Sequence, residues 1–173
     1  SDEIECAIKN KVGIAVVIGG GNYFRGASLQ SSGIERVIAD KMGMLATLMN
    51  GLALTDFMRR KGMDVEIYHS SSIDGVVGAY NRDLARARLD AGEVVVLTGG
   101  TGNPFFTTDT AACLRAIELD VEAVLKATSV DGVYSADPTK NKDAYRYETL
   151  GISKLLEKEL GVVDMTAAVL CKE

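Results

Sequence analysis

Histidine is nearly absent from this 173-residue chain, with His69 the single copy. A histidine-rich metal site is thereby excluded. A Ser-His-Asp triad would have to recruit His69, which sits near the end of an expected strand, and no G-x-S-x-G elbow occurs anywhere in the chain. Hydrolase chemistry of that type is set aside. Cysteine is scarce as well. Cys6, Cys113 and Cys171 are odd in number, widely spaced and without a C-x-x-C pair, which suits reduced thiols used as small core residues better than a disulfide framework or a zinc site. No excess of positive charge is present. A formal net charge of −5 argues against a protein that grips nucleic acid or anionic membrane through a basic surface, while leaving room for an anion held locally. No apolar run approaches the roughly 20 residues of a membrane span, and the opening S-D-E-I-E-C lacks the basic and apolar regions of a signal peptide. The expectation is a soluble, cytoplasmic protein.

With 47% hydrophobic and 25% charged residues the chain is not of disordered composition, and its length suits one compact domain or a large part of one. Two glycine-rich loops organise it. In E-V-V-V-L-T-G-G-T-G-N-P-F-F-T-T-D-T, from Glu93, a β-branched run predicts a strand, Gly99, Gly100 and Gly102 allow a tight turn, and Thr107 or Thr108 can cap the following helix. Backbone N–H groups at such a turn, with the positive end of a helix dipole, make a seat for phosphate. An ordinary strand-to-helix turn is an equal reading of that stretch alone. The second loop, G-G-G-N-Y-F-R-G, spans Gly19 to Gly26 and follows the expected strand at 12–18. Ala27 stands where a Walker loop needs Lys, and Phe24 breaks the dinucleotide pattern, so neither standard nucleotide motif is present. What remains is three consecutive glycines, which let backbone approach a ligand, and Arg25, whose planar fork suits phosphate oxygens.

Between the loops, a helical pattern covers about 34–61. Ser32 and Glu35 offer a capping box, Gly62 follows the basic last turn, and Ile38, Met42, Leu45, Met49 and Leu52 recur on one face, predicting a core-packing side. Further strands are expected at 65–68 and 121–128, and further helices from Asn81 to Leu89, about 108–118, about 152–160 and 165–172. The polar residues 139–147 read as an exposed hairpin or loop. Strands alternating with helices imply an α/β fold with a mainly parallel sheet and helices on both faces. Ligands bind at the carboxyl ends of such strands. Gly, Thr, Arg and Asp cluster there at 19–25, 98–109 and 126–137.

Taken together, V-I-G-G-G-N-Y-F-R-G, A-D-K-M-G-M-L-A-T-L-M-N-G-L-A, T-G-N-P-F-F-T-T-D-T-A-A-C-L-R and L-K-A-T-S-V-D-G-V-Y-S-A-D-P resemble the bacterial uridylate kinases, in order, from about Val12 to the last residue. The resemblance implies the amino-acid-kinase fold, a three-layer α/β/α sandwich unrelated to P-loop kinases, over a single domain at 1–173. It implies phosphoryl transfer from MgATP to UMP, giving UDP and ADP. By motif, Gly20 resembles a UMP contact and Gly21 an ATP-phosphate contact. Arg25 is similar to the arginine that neutralises the phosphates, and Asp40 to the carboxylate that accepts hydrogen bonds from the UMP ribose. The run Thr101, Gly102, Asn103, Pro104, Phe105, Phe106, Thr107, Thr108 resembles the UMP-binding loop. Thr128, Tyr134 and Asp137 match positions around the ATP nucleoside, and Asp109 and Asp164 match acidic positions near the reacting phosphates.

Members of that family are hexamers, often with GTP and UTP as effectors, and their Mg²⁺ is carried by the nucleotide. They also begin with a strand and a K-L-S-G-like loop that supplies a phosphate-binding Lys, and they continue through further strands. Nothing before Cys6 or after C-K-E matches those parts, so both ends are expected to be incomplete: either a part of a longer chain, or a truncated form that binds UMP and transfers phosphate poorly. Lys126 lies in a matching motif but is not expected to replace that Lys. Two alternatives stay open: another amino-acid-kinase relative acting on a carboxylate or carbamate, and a noncatalytic nucleotide-binding module.

Overall fold

A computed structural model describes residues 2–24, 33–128 and 130–172. Strands β1 (Ala15–Val17), β2 (Val65–His69), β3 (Gly78–Ala79) and β4 (Val94–Thr98) form one parallel sheet in the order β1-β4-β2-β3. The register pairs Val17 with Leu97 and His69 with Thr98, so the carboxyl ends of β1, β4 and β2 lie level. Successive strand residues point to opposite faces, yet Val94, Val95 and Val96 are all fully buried. Both faces of β4 are therefore covered, as its continuous β-branched run anticipates. The short β3, between the expected strand at 65–68 and the Asn81 cap, was not expected from the sequence.

The helices of this part are α1 (Asp2–Lys9), α2 (Arg36–Arg60) and α3 (Arg82–Asp90). Helix α3 starts where expected, with the Asn81 side chain accepting from the N–H groups of Asp83 and Leu84. Helix α2 ends in a Schellman turn: Gly62 at φ +81° donates to Arg59 O, and Met63 donates to Met58 O. Met58 and Met63, both buried, then join the core of Leu48, Val65, Ile67, Val77, Val94 and Val96. At the other end Glu35 occupies the N-cap without a side-chain cap bond. Ser32, the other half of the expected capping box, lies outside the described residues.

The face of α2 that packs on the sheet is not the one its apolar spacing predicts. Ala39, Ala46, Thr47, Leu48, Gly51, Thr55 and Met58 are buried, whereas Ile38, Leu45, Met49 and Leu52 are 46%, 51%, 50% and 38% exposed. Close approach decides this: a Cβ on Gly51 would collide with the Thr98 methyl and press on Ile67. Only a face of small residues lets the helix axis come that near the strands, so the larger apolar stripe is turned outward. By length and composition alone this 25-residue helix also qualifies as a membrane span. Its small-residue face, however, lies on the sheet, and Asp40, Lys41 and Asp56 interrupt its apolar character.

The chain divides into two compact units, 1–108 and 109–173. The sheet belongs to the first. In the second, helix α4 (Thr108–Leu119, entering from the last residue of the first unit) is followed by α5 (Ile152–Glu157) and α6 (Met165–Leu170). The strand expected at 121–128 is absent. Among the described residues that segment pairs with no strand, and Leu125 is 92% exposed, because a β-branched run forms a strand only beside a partner ladder. The polar 139–147 segment does fold back as expected: Tyr134 bridges Arg146 antiparallel, with Ser135 N–H bonded to Tyr145 O and Tyr147 N–H to Val133 O. The expectation of three core cysteines is corrected as well. Cys113 is buried, but Cys6 and Cys171 are exposed.

Candidate functional site

Because β1 and β4 are neighbours, the two glycine-rich loops leave the sheet side by side at the carboxyl ends of adjacent strands. A Cβ on Gly19 would stand 3.5 Å from Thr108 Oγ1, so the loops also meet beyond the strands. Gly20 lies against α2, where a Cβ would fall 2.7 Å from Gly43 O and 2.8 Å from Ala46 Cβ. Among the described residues nothing lies within 4 Å of such an atom on Gly21. The turn is closed by Tyr23 and Phe24 N–H groups, both donating to Gly20 O. Asn50 of α2 secures it by donating to Gly19 O at 2.8 Å, while its amide pairs reciprocally with that of Asn22 at 2.7 and 3.1 Å. Arg25 lies outside the described residues.

The second loop is bolted to the first unit at three points. Gly99 N–H donates to Thr47 Oγ1 at 2.7 Å, and Thr47 in turn donates to Met44 O at 2.6 Å. Beneath the loop, Thr98 Oγ1 donates to Tyr68 O, so at 2.9 Å it accepts from His69 Nδ1 and selects the Nδ1–H tautomer. Burial lowers the His69 pKa, which favours that neutral ring. Third, Phe105 N–H donates to Asp40 Oδ2 at 2.8 Å. Arg36 Nε lies 2.9 Å from both Asp40 oxygens, and its guanidinium stacks over the Phe105 ring. Gly99, Gly100, Gly102 and Phe105 all have positive φ, a costly conformation for a phenylalanine and a sign that the loop's shape is imposed on it. Within the turn, Thr101 Oγ1 accepts from Asn103 N–H, and Gly102 N–H donates to Gly99 O. Pro104 follows half-buried, Phe105 and Phe106 present exposed rings, Thr107 stands at the N-cap position, and α4 begins at Thr108.

In the second unit, Lys126 Nζ donates to Asp109 Oδ2 and to Val162 O, each at 2.6 Å. Thr110 Oγ1 lies 3.0 Å from both oxygens of Asp164, which also caps α6 by accepting from Ala167 N–H. The two acidic positions are thus each held by a side chain of the same unit, 17 and 54 positions away in sequence. Tyr134 donates to Asp131, which also pairs with Arg146; the Tyr134 bond comes first in lowering the Asp131 pKa and raising that of Tyr134. Asp137 accepts from both the hydroxyl and the N–H of Thr139, which with Lys140 hold its pKa below the usual value. Thr128 is exposed. Among the described residues no group of three His, Cys, Asp or Glu side chains is placed to hold a metal ion.

A family model described as the amino acid kinase family matches residues 1–172. The chain belongs to that family. Among relatives, it is 53% identical to a uridylate kinase of Alcanivorax borkumensis, covering 99% of this chain and 70% of that one. It is 51% identical to a uridylate kinase of Pseudomonas aeruginosa, covering 99% and 72%. Of solved structures, a UMP kinase from Bacillus anthracis superposes with a TM-score of 0.95 at 36% identity, covering 99% of this chain and 71% of that one. A UMP kinase from Ureaplasma parvum gives 0.91 at 34%, covering 98% and 73%.

In this amino acid kinase the sequence reading missed Asn50, Thr47 and Arg36, which shape the two loops without any glycine or phosphate signature of their own. A polar residue on the inner side of an otherwise apolar helix was the available signal for Asn50 and Thr47. Two surface depressions, one lined by Val12, Gly13 and Gly92 and one by Met63, Asp64 and Glu93, lie at the amino ends of the strands and include none of the candidate residues.

Proposed function

We propose that this chain is a UMP kinase, transferring the γ-phosphoryl group of MgATP to UMP to give UDP and ADP. One observation carries the reading on structural grounds: two glycine-rich loops, each tied to α2, emerge together from adjacent parallel strands, where an α/β sheet takes its ligands. The names of relatives about half identical over the whole chain supply the substrate. The family match over 1–172 supports reading the chain as one amino-acid-kinase domain.

On this reading UMP lies on the first unit. Gly20 and the run from Thr101 to Thr108 embrace it, and Asp40, whose oxygens retain acceptor capacity beside Arg36 and Phe105 N–H, takes the ribose hydroxyls. For ATP the family likeness offers Gly21 and Arg25 as phosphate contacts, and Thr128, Tyr134 and Asp137 match positions around the nucleoside. A phosphate monoester with a second pKa of about 6 is largely dianionic at neutral pH. A UMP phosphate oxygen can therefore attack the γ-phosphorus without a general base, ADP leaving in line. The protein's task is then positioning and charge neutralisation, by backbone N–H groups and Arg25. Mg²⁺ would arrive carried by the nucleotide, with Asp109 and Asp164 as acidic positions near the reacting phosphates. It would offset charge on the transferring phosphoryl group.

The exposed stripe of Ile38, Leu45, Met49 and Leu52 recurs at spacings of seven, four and three, the pattern of a helix seam, and supports a homo-oligomer, a hexamer by family likeness. GTP and UTP are the effectors that likeness suggests. The deciding experiment is calorimetric titration of the folded 173-residue chain with UMP, using CMP as control. Binding that prefers UMP is expected; folded protein that ignores UMP would overturn the substrate assignment.

A further inference from the structure

Cys113 and Cys171 stand 58 positions apart in sequence, yet their Sγ atoms meet at 3.3 Å. Both are free thiols, Cys113 buried on α4 and Cys171 exposed at the C-cap of α6. A disulfide needs an S–S separation of about 2.05 Å, so the sulfurs are a little over ~1 Å from bonding distance and already face each other. We propose that Cys113 and Cys171 are a modification site, a dithiol that closes to a reversible intramolecular disulfide by exchange with a low-molecular-weight disulfide such as oxidised glutathione.

The chemistry divides between the two residues. The Cys171 thiolate, on the surface, attacks one sulfur of the reagent, forming a mixed disulfide and expelling one thiolate. Cys113 then attacks the Cys171 sulfur, its proton passing to the thiolate already released, and the second half of the reagent leaves and takes up the proton that Cys171 lost. Two protein thiols are oxidised, one reagent disulfide is reduced to two thiols, and one protein S–S bond is formed. Burial first, and then the contact with Cys171, push the Cys113 thiol up to about 12. Cys113 is accordingly a poor nucleophile toward reagents in solution. It acts on Cys171 because it is held beside it, where proximity substitutes for a high thiolate fraction.

The bond would fasten together the two helices that present the acidic positions. Cys113 sits one turn beyond Asp109 on α4, and α6 is capped by Asp164, which Thr110 of α4 already contacts. Oxidation would thus add a covalent link to a helix pair joined in the reduced chain by the Thr110–Asp164 hydrogen bond. The inference is independent of the UMP reading.

The test is to incubate the folded chain with oxidised glutathione without denaturant, then count thiols and map linked peptides by mass spectrometry. The expected result is loss of the Cys113 and Cys171 thiols, a Cys113–Cys171 linked peptide, no retained glutathione at those two positions whatever the exposed Cys6 takes up, and full recovery with reductant. Cys6→Ser should behave the same way. Cys171→Ser should give no linked peptide and leave Cys113 unmodified, and this variant keeps the buried cysteine intact should Cys113→Ser fold poorly. Accumulation of glutathione on Cys171 with Cys113 still reduced, or linkage only after urea is added, would overturn the proposal.

Discussion

Asp40 accepts a hydrogen bond from the backbone N–H of Phe105 at 2.8 Å, across 65 positions of sequence. That contact fastens the loop after β4 to the first turns of α2. It also gives Asp40 a second task beside any ligand contact, that of holding Phe105 in its left-handed conformation. Removing the acceptor should loosen the loop as well as the site. Asp40→Ala is expected to weaken UMP binding at least about tenfold, roughly 1.4 kcal/mol, with a smaller loss for Asp40→Asn, which keeps a carbonyl acceptor. Calorimetry on both variants checks the order; equal losses would show that charge alone matters.

Thr47 is the buried anchor of the same loop, accepting from Gly99 N–H while donating to Met44 O. Thr47→Val keeps the shape and strands a buried N–H, so a loss of about 1–3 kcal/mol is expected, and Thr47→Ser should recover most of it. Denaturant unfolding of the three proteins measures this. A valine variant as stable as the parent would mean that the N–H finds another partner.

The glycines separate packing from ligand contact. Gly20→Ala drives a methyl into Gly43 O and Ala46, and Gly99→Ala meets Ser70 and His69 at a φ of +79°, so both should cost roughly 1–3 kcal/mol of stability. Gly21→Ala meets nothing among the described residues and should lie within about 0.5 kcal/mol of the parent. If Gly21 approaches an ATP phosphate, that variant will melt normally and bind ATP more weakly. Thermal melts paired with ATP titration distinguish the two effects.

His69 gives the chain a pH dependence of known sign. Burial holds its folded pKa below the unfolded value of about 6.5. Above that value both states carry a neutral ring and nothing is lost. As the pH falls below it, the unfolded chain takes up a proton that the native ring refuses, and stability declines toward the folded pKa. His69→Gln should lessen the loss between pH 7.5 and 5.5, read as the change in urea midpoint. An identical slope in both proteins would assign the loss to carboxylates.

The outward stripe on α2 predicts association. Leu45→Glu places a charge among Ile38, Met49 and Leu52 and should shift sedimentation toward smaller species while leaving the fold intact. A parent chain that already sediments as a monomer would remove the support this stripe lends to an oligomer.

Much of the first unit was legible before any coordinates. The β-branched runs at 12–18, 65–68 and 93–97, the Asn81 cap and the glycines after α2 and α3 are local signals, and each element formed where its signal stood. Candidate residues on the two loops were legible for the same reason, since Gly99, Gly100 and Gly102 take the positive φ that favours glycine, and Gly20 makes a close backbone approach that a Cβ would block. The face of α2 was not. Apolar spacing reveals a stripe but not what covers it, and the decision fell to Gly51 and its small neighbours, whose lack of bulk admits the sheet. The segment at 121–128 misled in a related way, because a strand's existence depends on a partner that its own residues do not contain.

The sequence by itself determined the α/β alternation, the positions of both glycine loops and the family, since turn chemistry, periodicity and motif order are properties of neighbouring residues. Only the tertiary structure decided that β4 inserts between β1 and β2, bringing those loops together. The same holds for Asn50, Thr47 and Asp40 as the anchors of the loops, and for the pairing of Cys113 with Cys171. These are contacts between residues from 31 to 65 positions apart. No local pattern encodes them, because they arise from how elements pack once their backbones are already formed.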